Sequence, residues 1–154
     1  MKLAVIRLRG QAGTPQDVEY TLKLLRLHRK FHAVIVDDTP SMRGMLQKVK
    51  DYVTWGEIDR DVLAFMLEKR GRIRGNRKIT QEILKKIGFE DFQVLAEAII
   101  EGKVDLRKIP LIKPVFRLHP PKGGFKYSIK KQYGNEGELG YRGKAINDLL
   151  MKMI

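Results

Sequence analysis

Three short apolar runs constrain the fold more than anything else in this chain: LAVIRL at residues 3–8, AVIV at 33–36 and VTWGEI at 53–58. They are rich in residues that suit a pleated, packed surface, and each is too short for an ordinary helix. Two stretches with helical periodicity lie between them. GTPQD opens the first, with Thr14 as N-cap, Pro15 at the first helical position and Asp17 near the positive end of the helix dipole. Val18, Leu22 and Leu25, joined by Leu24, Leu27 and Phe31, give that helix a broad apolar face to about residue 30. Ser41 caps the second helix, in which Met42, Met45, Leu46, Val49 and Val53 recur at i, i+3, i+4, i+7 and i+11. Residues 1–58 therefore predict a β-α-β-α-β unit with two helices on one face of a sheet.

Beyond Ile58 the pattern changes. Asp59 or Asp61 begins a helix that runs to about Arg70, and GRIRGNRK reads as a basic loop. Thr80 caps a short helix ended by Gly88. Asp91 starts another, with Phe92, Leu95, Ala96 and Ile99 inward and Gly102 at its end. After IPLIKPVFRLHPP comes LHPPKGGFKYSIKKQYG, residues 118–134, in which only FKYSI alternates as a strand does. A last helix from about Gly143 carries Ala145, Ile146, Leu149, Leu150 and Met153 as one stripe. Residues 59–154 thus read as a smaller α-rich subdomain built around a basic, irregular segment.

Charge narrows the function. Thirty-one Lys and Arg face 18 Asp and Glu, a formal net charge of +13. So large an excess repels itself in the compact state and calls for a polyanionic partner, nucleic acid first and an anionic membrane surface second. The excess is concentrated. Residues 69–78 hold six Lys or Arg and residues 107–133 hold eight, with no acid in either run. A solvated helix face mixes both signs, whereas a one-sign run in irregular backbone suits phosphates. Within the second run Phe125, Tyr127 and Tyr133 offer rings for base stacking, and core packing is the competing use of the same rings.

Catalytic and metal sites find little support. AVIVDDTPSMR places Asp37 and Asp38 at a strand end, where a receiver domain holds magnesium, yet the later aspartate-ended and lysine-ended strands of such a domain are missing. Asp38 in DTPS suits a turn better. His28 and His32 have a spacing that zinc ligands can use, but no third ligand is close in sequence, and both suit a helix C-terminus. Cysteine is absent, which removes disulfides and thiolate chemistry and fits a cytoplasmic protein. No apolar run reaches bilayer length, and MKLAVIRLRG lacks the features of a signal peptide. No cofactor or metal, and no enzymatic activity, is expected.

Three stretches carry a family likeness. DTPSMRGMLQKVKDYVTWGEI, with Asp38, Thr39, Pro40, Arg43, Gly44, Met45, Lys48 and Val49, resembles the core signature of the large-subunit ribosomal protein L thirty family. HPPKGGFK, through Pro120, Pro121, Lys122, Gly123, Gly124 and Phe125, and the YRGKAINDLLMKM tail, through Arg142, Gly143, Ile146 and Asn147, resemble its archaeal and eukaryotic (L seven type) members. The likeness keeps order and spacing at three places and is weakest over residues 59–112. It implies an α+β fold: a three-stranded antiparallel sheet of order 3-1-2, ferredoxin-like, with two helices on one face. It also implies a non-enzymatic constituent of the large ribosomal subunit, whose partners are ribosomal RNA and neighbouring ribosomal proteins, with no membrane or small-molecule substrate.

Charge and resemblance together nominate RNA-contacting residues. They are Arg7 and Arg9 by the first strand, Arg43 and Lys48 on the second helix, and Arg72, Arg74 and Arg77 in the basic loop. Arg117, Lys122, Lys126, Lys130, Lys131 and Arg142 complete the set in the C-terminal part. Few Asn or Gln lie among them, so base-specific readout is expected to be minor. Residues 122–133 are expected to be mobile until RNA orders them. The alternatives are a basic regulator of other RNAs outside the ribosome and, more remotely, a phosphotransfer enzyme using Asp37 and Asp38.

Overall fold

The computed structural model describes residues 2–154. The first 58 residues form β1 (Lys2–Arg7), α1 (Gln16–Leu24), β2 (His32–Asp37), α2 (Pro40–Lys48) and β3 (Val53–Glu57). β1 lies between β2 and β3 and is antiparallel to both, pairing Val5 with Val34 on one side and with Trp55 on the other. Alternate side chains take opposite faces. Leu3 and Val5 pack with Leu22 and Leu25 of the α1 segment and Leu46 and Val49 of the α2 segment, while Ala4 and Ile6 belong to a separate core. Both faces are covered, which is why the strands read as continuous apolar runs. Each fully buried Leu or Ile contributes about 1.5–3 kcal/mol relative to exposure.

The second core is built by the rest of the chain. α3 (Arg60–Arg70) is followed by a hairpin of two very short strands, β4 (Arg72–Ile73) and β5 (Arg77–Lys78). α4 (Gln81–Lys86) and α5 (Phe92–Ile100) come next, then β6 (Val115–Arg117), β7 (Ser128–Gln132), β8 (Gly137–Tyr141) and α6 (Ile146–Met153). Leu63, Met66 and Leu67 of α3, Leu95 and Ile99 of α5, and Leu150 and Met153 of α6 close over the Ala4–Ile6 face. The result has three layers, with helices on both sides of one sheet.

The sheet corrects the expectation of three strands. It has six, in the order β6-β2-β1-β3-β8-β7. β6 adds antiparallel to β2, and β8 adds parallel to β3, so strands from the C-terminal half flank the central three on both edges. Their pairing covers His32–Val34 on the β2 edge and Thr54–Trp55 on the β3 edge, which shortens the open hydrogen-bonding rows of the β2-β1-β3 centre.

Local signals explain the helix ends, including those that differ from expectation. Thr39, not Ser41, caps α2 by accepting from the Met42 N–H at 3.1 Å. Pro15, not Thr14, occupies the N-cap of α1, and the Thr14 hydroxyl turns back to donate to the Gly10 carbonyl. α1 ends at Leu24 rather than near residue 30. Arg26 takes φ +64°, and the Leu27 N–H bonds to the Leu22 carbonyl while the Arg26 N–H bonds to that of Lys23. This is a Schellman ending with an arginine where glycine is usual. It swings Leu27 into the core on the far side of a break that the apolar spacing hides. Gly88 and Gly102 end α4 and α5 with positive φ, and Thr80 and Asp91 cap them, as the sequence predicts.

Candidate nucleic-acid interface

One edge of the molecule collects cations from two separate segments. The turn after α3 and the β4–β5 hairpin bring Arg70, Arg72 and Asn76 against Arg117 of β6, around a cleft of about 160 Å³. None of the four is acidic. The hairpin is seated by the Lys113 N–H donating to the Arg72 carbonyl at 2.9 Å. Arg72 is held in place by its own guanidinium, which donates to the Lys69 and Gly71 carbonyls at 3.1 and 2.9 Å. Among the described residues no carboxylate lies within ion-pair distance of Arg70, Arg72 or Arg117. Three guanidiniums around one small cleft with no counter-charge concentrate positive potential in a geometry suited to an anionic group.

His32 extends this edge, because β2–β6 pairing sets it opposite Arg117. Burial lowers its pKa, and Arg117, His28, Arg29 and Arg7 push it the same way. The imidazole beside the arginines therefore takes up a proton less readily than a free one. Arg74, Arg77 and Lys78 stand exposed on the hairpin beyond the cleft.

The lysine-aromatic segment is held at several points along its length. The His119 and Lys122 N–H groups donate to the Met153 and Lys152 carbonyls at the end of α6. Phe125 packs on Phe31 with ring centroids 6.2 Å apart, the core role rather than the stacking role. The Tyr127 N–H donates to Glu138 Oε1 at 3.1 Å. Tyr127 and Tyr133 remain 47% and 42% exposed, and Lys122, Lys126, Lys130 and Lys131 are all exposed around them. Lys131 has one distant partner, Glu136 at 3.8 Å.

Two nominated residues are placed elsewhere by the structure. Arg7 is fully buried. It lies on the same face as Leu3 and Val5, and its guanidinium meets Glu19 of α1 at 3.0 Å and donates to the Leu27 carbonyl at 2.7 Å. Arg142 is buried against Glu138 at 2.8 Å and donates to Thr54 Oγ1 at 2.8 Å. Neither guanidinium is open to a phosphate: both are internal ties, because each was brought inward with its own carboxylate. Arg43 is exposed but pairs with Asp38 at 2.6 Å, which holds that carboxyl below its usual range. Arg9 lies over the Tyr52 ring at 4.8 Å, half-buried, and Lys48 is exposed at the end of α2.

The aspartate pair has an ordinary role. Asp37 pairs with Lys2 and Asp38 with Arg43, so both carboxylates already have counter-charges. Sequence reading missed Arg70 and Arg29. Arg70 closes α3 and reads as a helix-end charge favoured by the dipole, while Arg29 lies outside the cleft and acts only as one of the charges that lower the pKa of His32.

Comparison with known proteins agrees with this cation-rich, three-layer domain. A family model described as "Ribosomal protein L30p/L7e" matches residues 3–53. Over nearly the whole chain, the "Large ribosomal subunit protein uL30" of Staphylothermus marinus is 54% identical, covering 98% of this chain and 97% of that protein. The chain belongs to the uL30 family. The uL30 protein of Hyperthermus butylicus is 55% identical, covering 98% of this chain and 89% of its own length. That of Archaeoglobus fulgidus is 52% identical over 97% and 98% respectively. The uL30 likeness therefore extends through residues 59–112, where the recognisable motifs are sparse, and these similar proteins are archaeal.

Proposed function

We propose that the chain is a structural constituent of the large ribosomal subunit, in the cytoplasm, that binds folded ribosomal RNA through phosphates and does no chemistry of its own. The observation that carries this reading is the unpaired cleft of Arg70, Arg72 and Arg117. Guanidiniums there match phosphate oxygens in a fork geometry, and each contact releases condensed counterions. Arg74, Arg77 and Lys78 beside the cleft, and Lys122, Lys126, Lys130 and Lys131 on the C-terminal segment, widen the contact. Lys48, Arg9 and Arg43 are supplementary. Tyr127 and Tyr133 supply faces on which an unpaired base stacks. The positions belong to distant parts of the chain, so the protein fastens separate RNA elements by shape and charge rather than by sequence.

Residues 1–58 are proposed as the ferredoxin-like core unit and residues 59–154 as the subdomain that adds the arginine cleft and the basic segment. Sedimentation of cell extract at moderate salt tests the functional reading. Recovery with large subunits is expected; recovery mainly as free protein would overturn it.

A further inference from the structure

The acids of this basic chain are not scattered evenly. A groove of about 730 Å³ runs between α3, α5 and α6, with Phe65, Phe92 and Met151 along it and Asp61, Glu68 and Asp91 at its sides. None of the residues lining it is a lysine or arginine, in a chain that has 31. An adjoining hollow shares Asp61 and adds Asp59, Glu97 and Glu101, with Arg60 on its lining. There Asp59 is paired with Lys144 at 2.6 Å and Glu101 with Lys103 at 2.9 Å, so Asp61 and Glu97 are its less committed carboxylates. Arg60 is engaged only loosely, 3.6 Å from Asp61 and 3.9 Å from Glu97. Among the described residues Glu68 and Asp91 have no cation within 4.0 Å. Met151 is 48% exposed, on the outward side of a helix whose other face is core.

Carboxylates at its sides disfavour phosphate, and the nearest cation to its floor is Lys69, whose Nζ lies 5.9 Å from the Phe65 ring on the next position of α3 after Glu68. The exposed methionine and the two half-buried rings form an apolar floor that water wets poorly. We propose that the groove seats a lysine- or arginine-rich segment of a neighbouring protein in the assembled particle, a proposal that rests on the ribosomal reading above. One apolar side chain of that segment fills the space between Phe65, Phe92 and Met151, and its flanking cations meet Asp61, Glu68 and Asp91. Charge complementarity selects this occupant: a basic segment gains from the carboxylates that disfavour phosphate. The buried apolar anchor supplies most of the affinity, and the rim supplies orientation.

The chain has no cysteine, so Gln93→Cys, at the groove wall, gives one unique site for a benzophenone photocrosslinker. In assembled large subunits the expected product is a crosslink to a protein segment with several Lys or Arg around an apolar residue. Adding Asp61→Lys and Glu68→Lys should cut its yield at least tenfold. A crosslink to RNA, to a second copy of this chain, or one insensitive to the charge reversal would overturn the proposal. Exclusion of labelled protein from subunits would count against the ribosomal reading instead. The proposal is then decided on free protein, by titration with a synthetic Lys-Arg-Leu-Leu-Lys-Arg peptide. Saturable binding weakened at least tenfold by the double reversal is expected, and no saturation, or equal affinity in the variant, overturns it.

Discussion

The guanidinium of Arg142 lies 2.8 Å from the Glu138 carboxylate, with both side chains sealed inside the protein. The pair does more than cancel charge. Arg142 Nε donates to the Thr54 hydroxyl, which donates in turn to the Gly140 carbonyl at 2.8 Å, so β8 is fastened to β3. The other oxygen of Glu138 accepts from the Tyr127 N–H, which ties the lysine-aromatic segment to the same knot. A motif residue that reads as an RNA contact is thus an internal bolt between the central sheet and the basic segment.

Replacing Arg142 with Met should destabilise the fold by about 3–5 kcal/mol, because Glu138 is left buried without its counter-charge. Adding Glu138→Gln should recover part of that loss. Chemical denaturation of the three variants measures both effects. The salt dependence of RNA affinity should not change in the folded variants; a slope lowered by about one unit would mean that Arg142 reaches a phosphate after all.

The arginine cleft predicts the opposite separation. Arg70→Gln, Arg72→Gln and Arg117→Gln together should lower stability by no more than about 1–2 kcal/mol. Among the described residues none of the three has a carboxylate partner, and only the Arg72 guanidinium makes internal hydrogen bonds, to the Lys69 and Gly71 carbonyls. RNA affinity should fall, and the slope of log affinity against log salt should shrink by roughly two units, at ~0.7–0.9 per lost contact. An unchanged slope would mean that the cleft faces solvent or protein. The same measurement on Lys122→Gln, Lys126→Gln, Lys130→Gln and Lys131→Gln tests the basic segment.

His32 makes stability depend on pH. Its pKa is lowered in the folded state from the usual 6.5, first by burial and then by Arg117, with His28, Arg29 and Arg7 adding to it. The unfolded chain then binds the proton more readily, so stability is intact above about 6.5 and falls as pH drops from there through the folded pKa. Equilibrium unfolding at about pH 7.5 and about pH 5.5 should show this loss in the native chain and a smaller one in His32→Gln. Identical losses in the two proteins would remove His32 as the cause.

Two glycines should respond to alanine with opposite signs. A Cβ on Gly56 of β3 would sit 1.9 Å from the Gly143 carbonyl oxygen, which is backbone and cannot swing aside. Gly56→Ala should cost about 3 kcal/mol, the upper part of the usual overpacking range. Gly44 of α2 has nothing within 4 Å of that position, so Gly44→Ala should stabilise by about 0.5–1 kcal/mol through helix propensity. Thermal melts of both variants check the contrast.

Legibility in the sequence followed the reach of the interactions. The β1, β2 and β3 runs, the caps Thr80 and Asp91 and the ending glycines Gly88 and Gly102 are local signals, and each acts within a few residues of itself. The α1 ending was hidden because Arg26 occupies a left-handed position without announcing it. β4 and β5 are two residues each, below any periodicity, and GELGY lacks one because Gly137, Glu138, Leu139 and Gly140 are all buried. Glu138 reads as a surface residue until Arg142 is seen beside it.

Among the nominated cations the same divide separates those left exposed from those turned inward. Composition and one-sign runs establish the basic character that suits a polyanionic partner, because net charge is a sum and needs no coordinates. Which cations are free to meet one depends on residues distant in sequence: Glu19 claims Arg7, Glu138 claims Arg142, and β6 brings Arg117 to Arg70 and Arg72. The sequence by itself determined the β-α-β-α-β start, the basic character and the family signature, all carried by short-range pattern. Only the tertiary structure decided that three further strands join the sheet, that two arginines turn inward, and that a groove with carboxylates at its sides has no cation in its lining. Each of those follows from burial and pairing between residues far apart in the chain, which no local periodicity encodes.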